Sequence, residues 1–371
     1  MDIEELLALP YQLKIEEEPS EGGFYASYPQ LPGCNAFGGT REEAIESVKK
    51  AKRKWLEMAV CTGIDIPMPN EDDSTTVGAL YQKETLAGRT AEDKTELAYS
   101  SRVAMYGAIL GDMIGAPYEF DRGEKTKDFI LFDRRKWIHY TDDTAMTLAI
   151  AKAIMKAGPG AGEGVMKAEM ISCMQDFGNR FAEGEYGDRF IDWLREKDPQ
   201  PYGSYGNGAA MRVSAIGWFY DFLERAREVA RWSAEVSHNH PEGIKGAESV
   251  AAAIFLLRNG STKEEVKEYI CREFGYDLSR TLDEIRPTYH HVESCQETVP
   301  EAVTAFLESV EFEDAIRNAV SLGGDCDTLT CITGSLAEAC YGVPNDMIRE
   351  CEARIPEELL QVLKQFQSVI L

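Results

Sequence analysis

Hydrophobic positions change their spacing about a quarter of the way along the chain. In residues 1–70 they alternate: Tyr11–Glu16 and Phe24–Tyr28 both switch between apolar and polar side chains, with the turn-prone stretch Glu18–Gly23 between them. Alternation with period two puts one face of a strand on a core, so the pair reads as a hairpin. The stiff corner Pro29-Gln30-Leu31-Pro32-Gly33-Cys34 follows, then a third stretch at Phe37-Gly38-Gly39. Thr40 and Glu43 have capping-box spacing, which opens an amphipathic helix from Arg41 to about Cys61. Strand, strand, strand and helix in so short a unit predict an antiparallel sheet with a helix on one face.

Residues 71–98 are rich in Asp, Glu, Thr and Ser and read as a linker, with one short helix at Leu80–Leu86. Beyond it, apolar residues recur at i, i+3 and i+4 almost throughout. Ala104–Ile114, Ala145–Met155, Ala209–Leu223, Ile244–Leu257, Pro300–Ser309 and Leu329–Tyr341 are among the segments that do so. Gly and Pro punctuate them and no strand run interrupts. Residues 99–371 therefore predict a compact all-α domain of roughly ten to thirteen helices.

Charge and cysteines narrow the function. The 371 residues hold 64 acidic and 39 basic side chains, a formal charge of −25. Such a field repels nucleic acid, so nucleic-acid binding is not expected except as a modified substrate. Anionic small molecules remain open, because helix dipoles or cations can hold them. The start MDIEELLALPYQLK is acidic and lacks a signal-peptide pattern, and the longest clean apolar run, Val250–Leu257, is too short for a bilayer. Nine cysteines without paired spacing predict reduced, buried thiols, a cytoplasmic protein and no zinc site.

Two oxygen-rich segments carry the candidate chemistry. Thr141-Asp142-Asp143-Thr144 stands directly before one apolar helix, and Gly323-Gly324-Asp325-Cys326-Asp327-Thr328 before another. Either alone is an ordinary helix start, since Thr and Asp cap helices and acids suit the positive end of the dipole. Together they offer an all-oxygen set suited to Mg2+ or Mn2+. Such a set can hold two ions on the order of 4 Å apart and activate water between them. Glycines 107, 111 and 115 repeat every four residues, giving a smooth helix face; Pro117 ends that helix and presents Glu119 beyond it. The Gly/Ser loop Tyr202–Arg212 offers backbone N–H groups suited to phosphate oxygens. In Ser237-His238-Asn239-His240 the two histidines read as metal ligands, ligand donors or a plain connection, and spacing favours the last.

Two resemblances follow. The string FYASYPQLPGCNAFGGTREEAIESVKKAKRKWL resembles the partial RNase-H-like fold of HicB-type antitoxins, over residues 1–70. Members often add a DNA-binding helix-turn-helix or ribbon-helix-helix; here Ile66-Pro67-Met68-Pro69 leads into the linker instead. GAILGDMIGAPYEF, TDDTAMTLAIA, YGSYGNGAAMR, SHNHPEGIKGAES, SCQETVPEAVTAFLES and AVSLGGDCDTLTCITGSLAEACYG together, and in family order, resemble the ADP-ribosylglycohydrolase family. That resemblance implies a mainly α fold, an orthogonal helical domain behind a small α+β one. It implies Mg2+-dependent hydrolysis of the bond linking ADP-ribose to a modified target. Thr141, Asp142, Asp143, Asp325, Asp327 and Thr328 are then ligands for two Mg2+ ions, with Mn2+ as an alternative. Glu119 is the active-site glutamate and, with Asp142, Asp143, Asp325 and Asp327, forms the catalytic set. Gly203, Ser204, Tyr205, Gly206 and Asn207 hold the diphosphate, His238 lies near the phosphates, and Asp112 is structural. Two rival readings are an ADP-ribose reader without turnover, and an antitoxin- or immunity-type chain whose N-terminal module binds a protein partner.

Overall fold

The computed structural model describes residues 3–62 and 104–370, except 8, 19–22, 32–33, 123, 134 and 183–184. The expected linker with its short helix at Leu80–Leu86, the prolines at 67 and 69, and most of the expected turn at 18–23 lie outside the described residues. The chain divides into two compact units, Met1–Asp93 and Lys94–Leu371.

In the first unit, α1 (Ile3–Leu7) precedes strands β1 (Lys14–Glu18), β2 (Gly23–Ser27) and β3 (Asn35–Gly38), then α2 (Arg41–Thr62). The strands pair antiparallel in sequence order, with Ile15 opposite Ala26 and Ala26 opposite Ala36. The capping box forms reciprocally. Glu43 N–H donates to Thr40 Oγ1 at 3.2 Å, and Thr40 N–H donates to Glu43 Oε2 at 3.2 Å. The first strand begins three residues later than its alternation suggests, because Tyr11 turns into the core with Leu6, Tyr28 and Val48. Lys52 is buried there with its charge satisfied: Nζ donates to Leu7 O at 2.9 Å and Leu9 O at 3.2 Å, beside the rings of Tyr11 and Tyr28.

Every regular element among the second unit's described residues is a helix, apart from one isolated bridge between Gly206 and Ser294. The helices that build the site are α3 (Tyr106–Gly115), α4 (Asp142–Ala157), α5 (Pro241–Arg258), α6 (Cys295–Leu307) and α7 (Cys326–Tyr341). Three departures from the pattern have local causes. The span expected at 209–223 divides into Gly208–Met211 and Ser214–Phe219. Helix α6 starts at Cys295, five residues before the expected start, and carries Pro300 inside it. The two acidic clusters stand in the first turns of α4 and α7 rather than ahead of them, with Thr141 and Asp325 as the N-cap residues. Acids in a first turn meet the positive end of the helix dipole, so the longer helices are electrostatically favoured.

The antiparallel seam between α3 and α7 sets the geometry of everything that follows. A Cβ placed on Gly107, Gly111 or Gly115 would sit 2.2, 2.2 or 2.4 Å from the carbonyl oxygens of Gly334, Thr330 and Cys326. Those separations leave no room for a side chain, so the two backbones touch directly. At one end Glu338 of α7 accepts the Tyr106 and Gly107 N–H groups at 3.1 and 3.0 Å, covering orphan donors of α3. At the other end the exit of α3 meets the entry of α7. Glu119 is thereby delivered to the same place as Asp325 and Asp327.

Candidate active site

Helix α3 also recruits the second acidic cluster. Asp112 is wholly buried and accepts the Thr141 N–H at 2.9 Å, the Thr141 hydroxyl at 2.8 Å and the Thr144 N–H at 3.1 Å, and also the Thr144 hydroxyl. One carboxylate thus docks the N-terminus of α4 through two threonines three residues apart. Thr141 Oγ1 accepts the Asp143 N–H at 3.3 Å, so this hydroxyl is engaged on both sides.

The resulting cluster of carboxylates is largely buried. One carboxylate oxygen from each of Glu119, Asp325 and Asp327 lies within 4.8 Å of the others. Thr328 joins the two clusters, its hydroxyl donating to Asp143 Oδ1 at 3.1 Å. Asn207 Nδ2 donates to Asp325 Oδ2 at 2.6 Å and to Thr298 Oγ1 at 3.1 Å. Asp143, Asp325 and Asp327 are 1%, 6% and 5% exposed, whereas Asp142 and Glu119 are only partly covered. Burial, and next the charge of Asp327, pushes the carboxyls of Asp142, Asp143 and Asp325 well above the usual range and that of Glu119 up to about 8.

The donor set itself tests whether a cation fits. Asp143 Oδ2 and Asp327 Oδ1 are buried and have no hydrogen-bond partner among the described residues. No lysine or arginine pairs with Asp142, Asp143, Asp325 or Asp327 among the described residues either. Buried carboxylates are ordinarily paired or bound to metal, since an uncompensated one costs several kcal/mol, on the order of 3–5 when a partner is lost. Every ligand atom on offer is oxygen, which suits a hard divalent cation. The residues fit such an ion.

The glycine loop meets this cluster through Asn207 and is more committed than its sequence suggests. Gly203, at φ 70°, donates its N–H to Asn239 Oδ1 at 2.8 Å; Gly206 N–H goes to Ser204 Oγ at 3.1 Å, and Asn207 N–H to Glu293 O at 2.8 Å. The Ser204 and Tyr205 N–H groups have no partner among the described residues, and the Tyr205 ring is exposed. His238 packs behind the loop: a Cβ on Gly206 or Gly208 would stand 3.4 or 3.3 Å from its Nε2. Its Nδ1 shares a 2.8 Å hydrogen bond with Ser237 Oγ, which also accepts from buried Arg212 at 3.0 Å. Burial, then the charges of Arg212 and Arg189, hold the imidazole well below its usual pKa, so it is neutral. His240 plays a different part, its Nδ1 accepting the Glu242 N–H at 3.2 Å as the N-cap of α5.

Two of these features escape a reading of the sequence: the Asn207 amide turns to Asp325 rather than into the loop, and Arg212 and Ser237 orient His238. The docking of α4 on Asp112 does leave a local trace, the spacing of Thr141 and Thr144, which puts both hydroxyls on one side of a helix start.

A helical scaffold thus brings the first turns of two acid-bearing helices together, with a glycine loop joined to them through Asn207. The chain belongs to the ADP-ribosylglycohydrolase family, whose model matches residues 94–370. It is 26% identical to ADP-ribosylhydrolase ARH3 of Homo sapiens, over 70% of this chain and 91% of that protein. It is 27% identical to ADP-ribosylarginine hydrolase Tri1 of Pseudomonas putida (strain GB-1), over 65% of this chain and 70% of that protein. The solved "ADP-ribosylglycohydrolase-related protein complex" shares the fold, with a TM-score of 0.57 at 23% identity over 75% of this chain and all of that one. Among the described residues, no helix is long and apolar enough to cross a membrane.

Proposed function

We propose that this chain hydrolyses the glycosidic bond between ADP-ribose and a modified target, with Mg2+ as the working cation. Asp142, Asp143, Asp325 and Asp327 would hold the metal, and with the hydroxyls of Thr141 and Thr328 they offer enough oxygen donors for two ions. When bound, the cation supplies Lewis-acid charge and lowers the pKa of a water. The rest falls to the protein. The free N–H groups of Ser204 and Tyr205 receive the diphosphate, His238 backs that loop as a neutral ring, and Asn207 keeps Asp325 in place. Glu119 lies within 4.8 Å of Asp325 and Asp327, where its carboxylate, ionised once a cation offsets their charge, accepts a proton from attacking water. The water oxygen adds to the anomeric carbon as the bond to the acceptor breaks, and the acceptor departs with a proton.

The observation that carries this reading is the pair of unpartnered buried oxygens, Asp143 Oδ2 and Asp327 Oδ1, at the joint of two acidic clusters. Family membership and the names of the ARH3 and Tri1 relatives support the choice of ADP-ribose. The first unit enters the proposal as a HicB-like module with a protein partner, supported by its strand–strand–strand–helix order. The test is release of free ADP-ribose from arginine-, serine- and nucleic-acid-linked substrates, each with Mg2+ and with EDTA. Release from at least one substrate with Mg2+, and none in EDTA, is expected. A folded protein that binds ADP-ribose yet releases none from any substrate would be a reader instead.

A further inference from the structure

The loop that carries Glu119 is held by a residue with no part in the chemistry. Phe120 and Asp121 both adopt left-handed backbone, at φ 57° and 56°. Two consecutive non-glycine residues in that region are strained and persist only where the surroundings impose them. The contacts that reach other segments centre on Asp121. Its Oδ1 accepts the N–H of Gly324 at 2.9 Å, its Oδ2 accepts the N–H of His291 at 3.1 Å, and Lys125 Nζ stands 3.8 Å away. Lys125 in turn donates to Tyr289 O. The ring of Phe120 lies against that of His291, with centroids 4.6 Å apart. Gly324 is itself at φ 78° and directly precedes Asp325.

One carboxylate therefore ties three separate segments together: the Glu119 loop, the 289–293 loop and the glycine pair that opens α7. We infer that Asp121 is a positioning residue that sets the separation of Glu119 from Asp325 and Asp327, and so sets how tightly the cluster takes a divalent cation. The inference rests on the proposed cation-dependent function. It assigns to Asp121 no contact with substrate or metal. Its oxygens are spent on two backbone N–H groups, and a carboxylate with two such acceptors cannot be replaced by one oxygen without releasing a segment.

Mn2+ binding to the full chain, followed by electron paramagnetic resonance, tests this independently of turnover. Three proteins are compared: wild type, Asp121→Ala and Asp121→Asn. Asparagine tolerates left-handed backbone as aspartate does, so Asp121→Asn removes one acceptor without adding strain, and it decides the matter if Asp121→Ala fails to fold. Expected are a Kd for Mn2+ raised at least tenfold in Asp121→Ala, a smaller rise in Asp121→Asn, and altered line shapes of the bound ion in both. Wild-type affinity and spectrum in folded Asp121→Asn would overturn the inference and leave the hydrolase reading standing. A wild type that takes up no Mn2+ would overturn the cation reading itself, and the inference with it.

Discussion

Asp327→Asn is expected to abolish Mg2+-dependent release of ADP-ribose while making the cation-free protein harder to unfold. After burial, Asp327 is the largest influence raising Glu119, Asp142, Asp143 and Asp325. Without a cation its charge is therefore a liability to the fold. Neutralising it removes repulsion worth on the order of 1–3 kcal/mol at the effective dielectric of such a site. In EDTA that corresponds to a rise in Tm of roughly 3–10 °C. Turnover should fall at least about 10³-fold, because a group that serves charge stabilisation in the transition state is lost. The pH dependence follows in sign. Glu119 is raised from 4.5 to about 8 and Asp112 from 3.8 to about 7. Over that window the folded state binds more protons than the unfolded one, so stability of the cation-free protein falls as pH rises. Asp327→Asn should flatten the slope. Calorimetry in EDTA across pH 4–9, beside a release assay, measures both effects; undiminished turnover, or a lower Tm in EDTA, would remove Asp327 from the role given it.

Gly111→Ala is expected to be among the most damaging single-methyl changes in the molecule. The added carbon would fall 2.2 Å from Thr330 O and 2.8 Å from Cys331 Cα, both backbone atoms that have no alternative rotamer. Relief requires α3 and α7 to separate. Overpacking of this kind costs typically 1–3 kcal/mol, and more where backbone faces backbone, against a gain of about 1 kcal/mol in helix propensity. Because backbone faces backbone here the upper end applies, a net loss of about 2 kcal/mol and a fall in Tm of roughly 4–8 °C. Gly164, in the helix Glu163–Gly178, supplies the opposite case. Nothing lies within 4 Å of a Cβ built there, and Gly164→Ala should stabilise by up to about 1 kcal/mol. Urea unfolding of the two variants separates the signs, and a neutral Gly111→Ala would show that the seam yields.

The contrast between these two glycines marks how far the sequence could be read. The four-residue repeat at 107, 111 and 115 announces a smooth face, and the seam with α7 is what occupies it. Gly323 and Gly324 announce a tight turn, and both stand at positive φ. Thr40 with Glu43 announces a cap that forms atom for atom. Each signal is local, or repeats with the helix. What stayed hidden is long-range and aperiodic. Asp121 reaches Gly324 across 203 residues, and Asn207 reaches Asp325 across 118. A polar residue that serves a distant loop looks, in its own neighbourhood, like any other surface residue. Pro300 misleads for a related reason: proline is a frequent first residue of helices, and only packing reveals that α6 began five residues earlier.

The seam between α3 and α7 also dictates where the molecule can breathe. Amides along Gly107–Gly115 and Thr330–Gly334 are locked by two backbones in mutual contact, and they should surrender their protons to deuterium only when the whole unit opens. The loop at 119–122 is tied to one end of that seam through Asp121 and Gly324, and that at 203–207 touches the same end through Asn207 and Asp325. They can open and reclose many times in the interval. Exchange measured by mass spectrometry would then register two clocks in one small region, a fast one in these loops and a slow one in the strut to which they are tied.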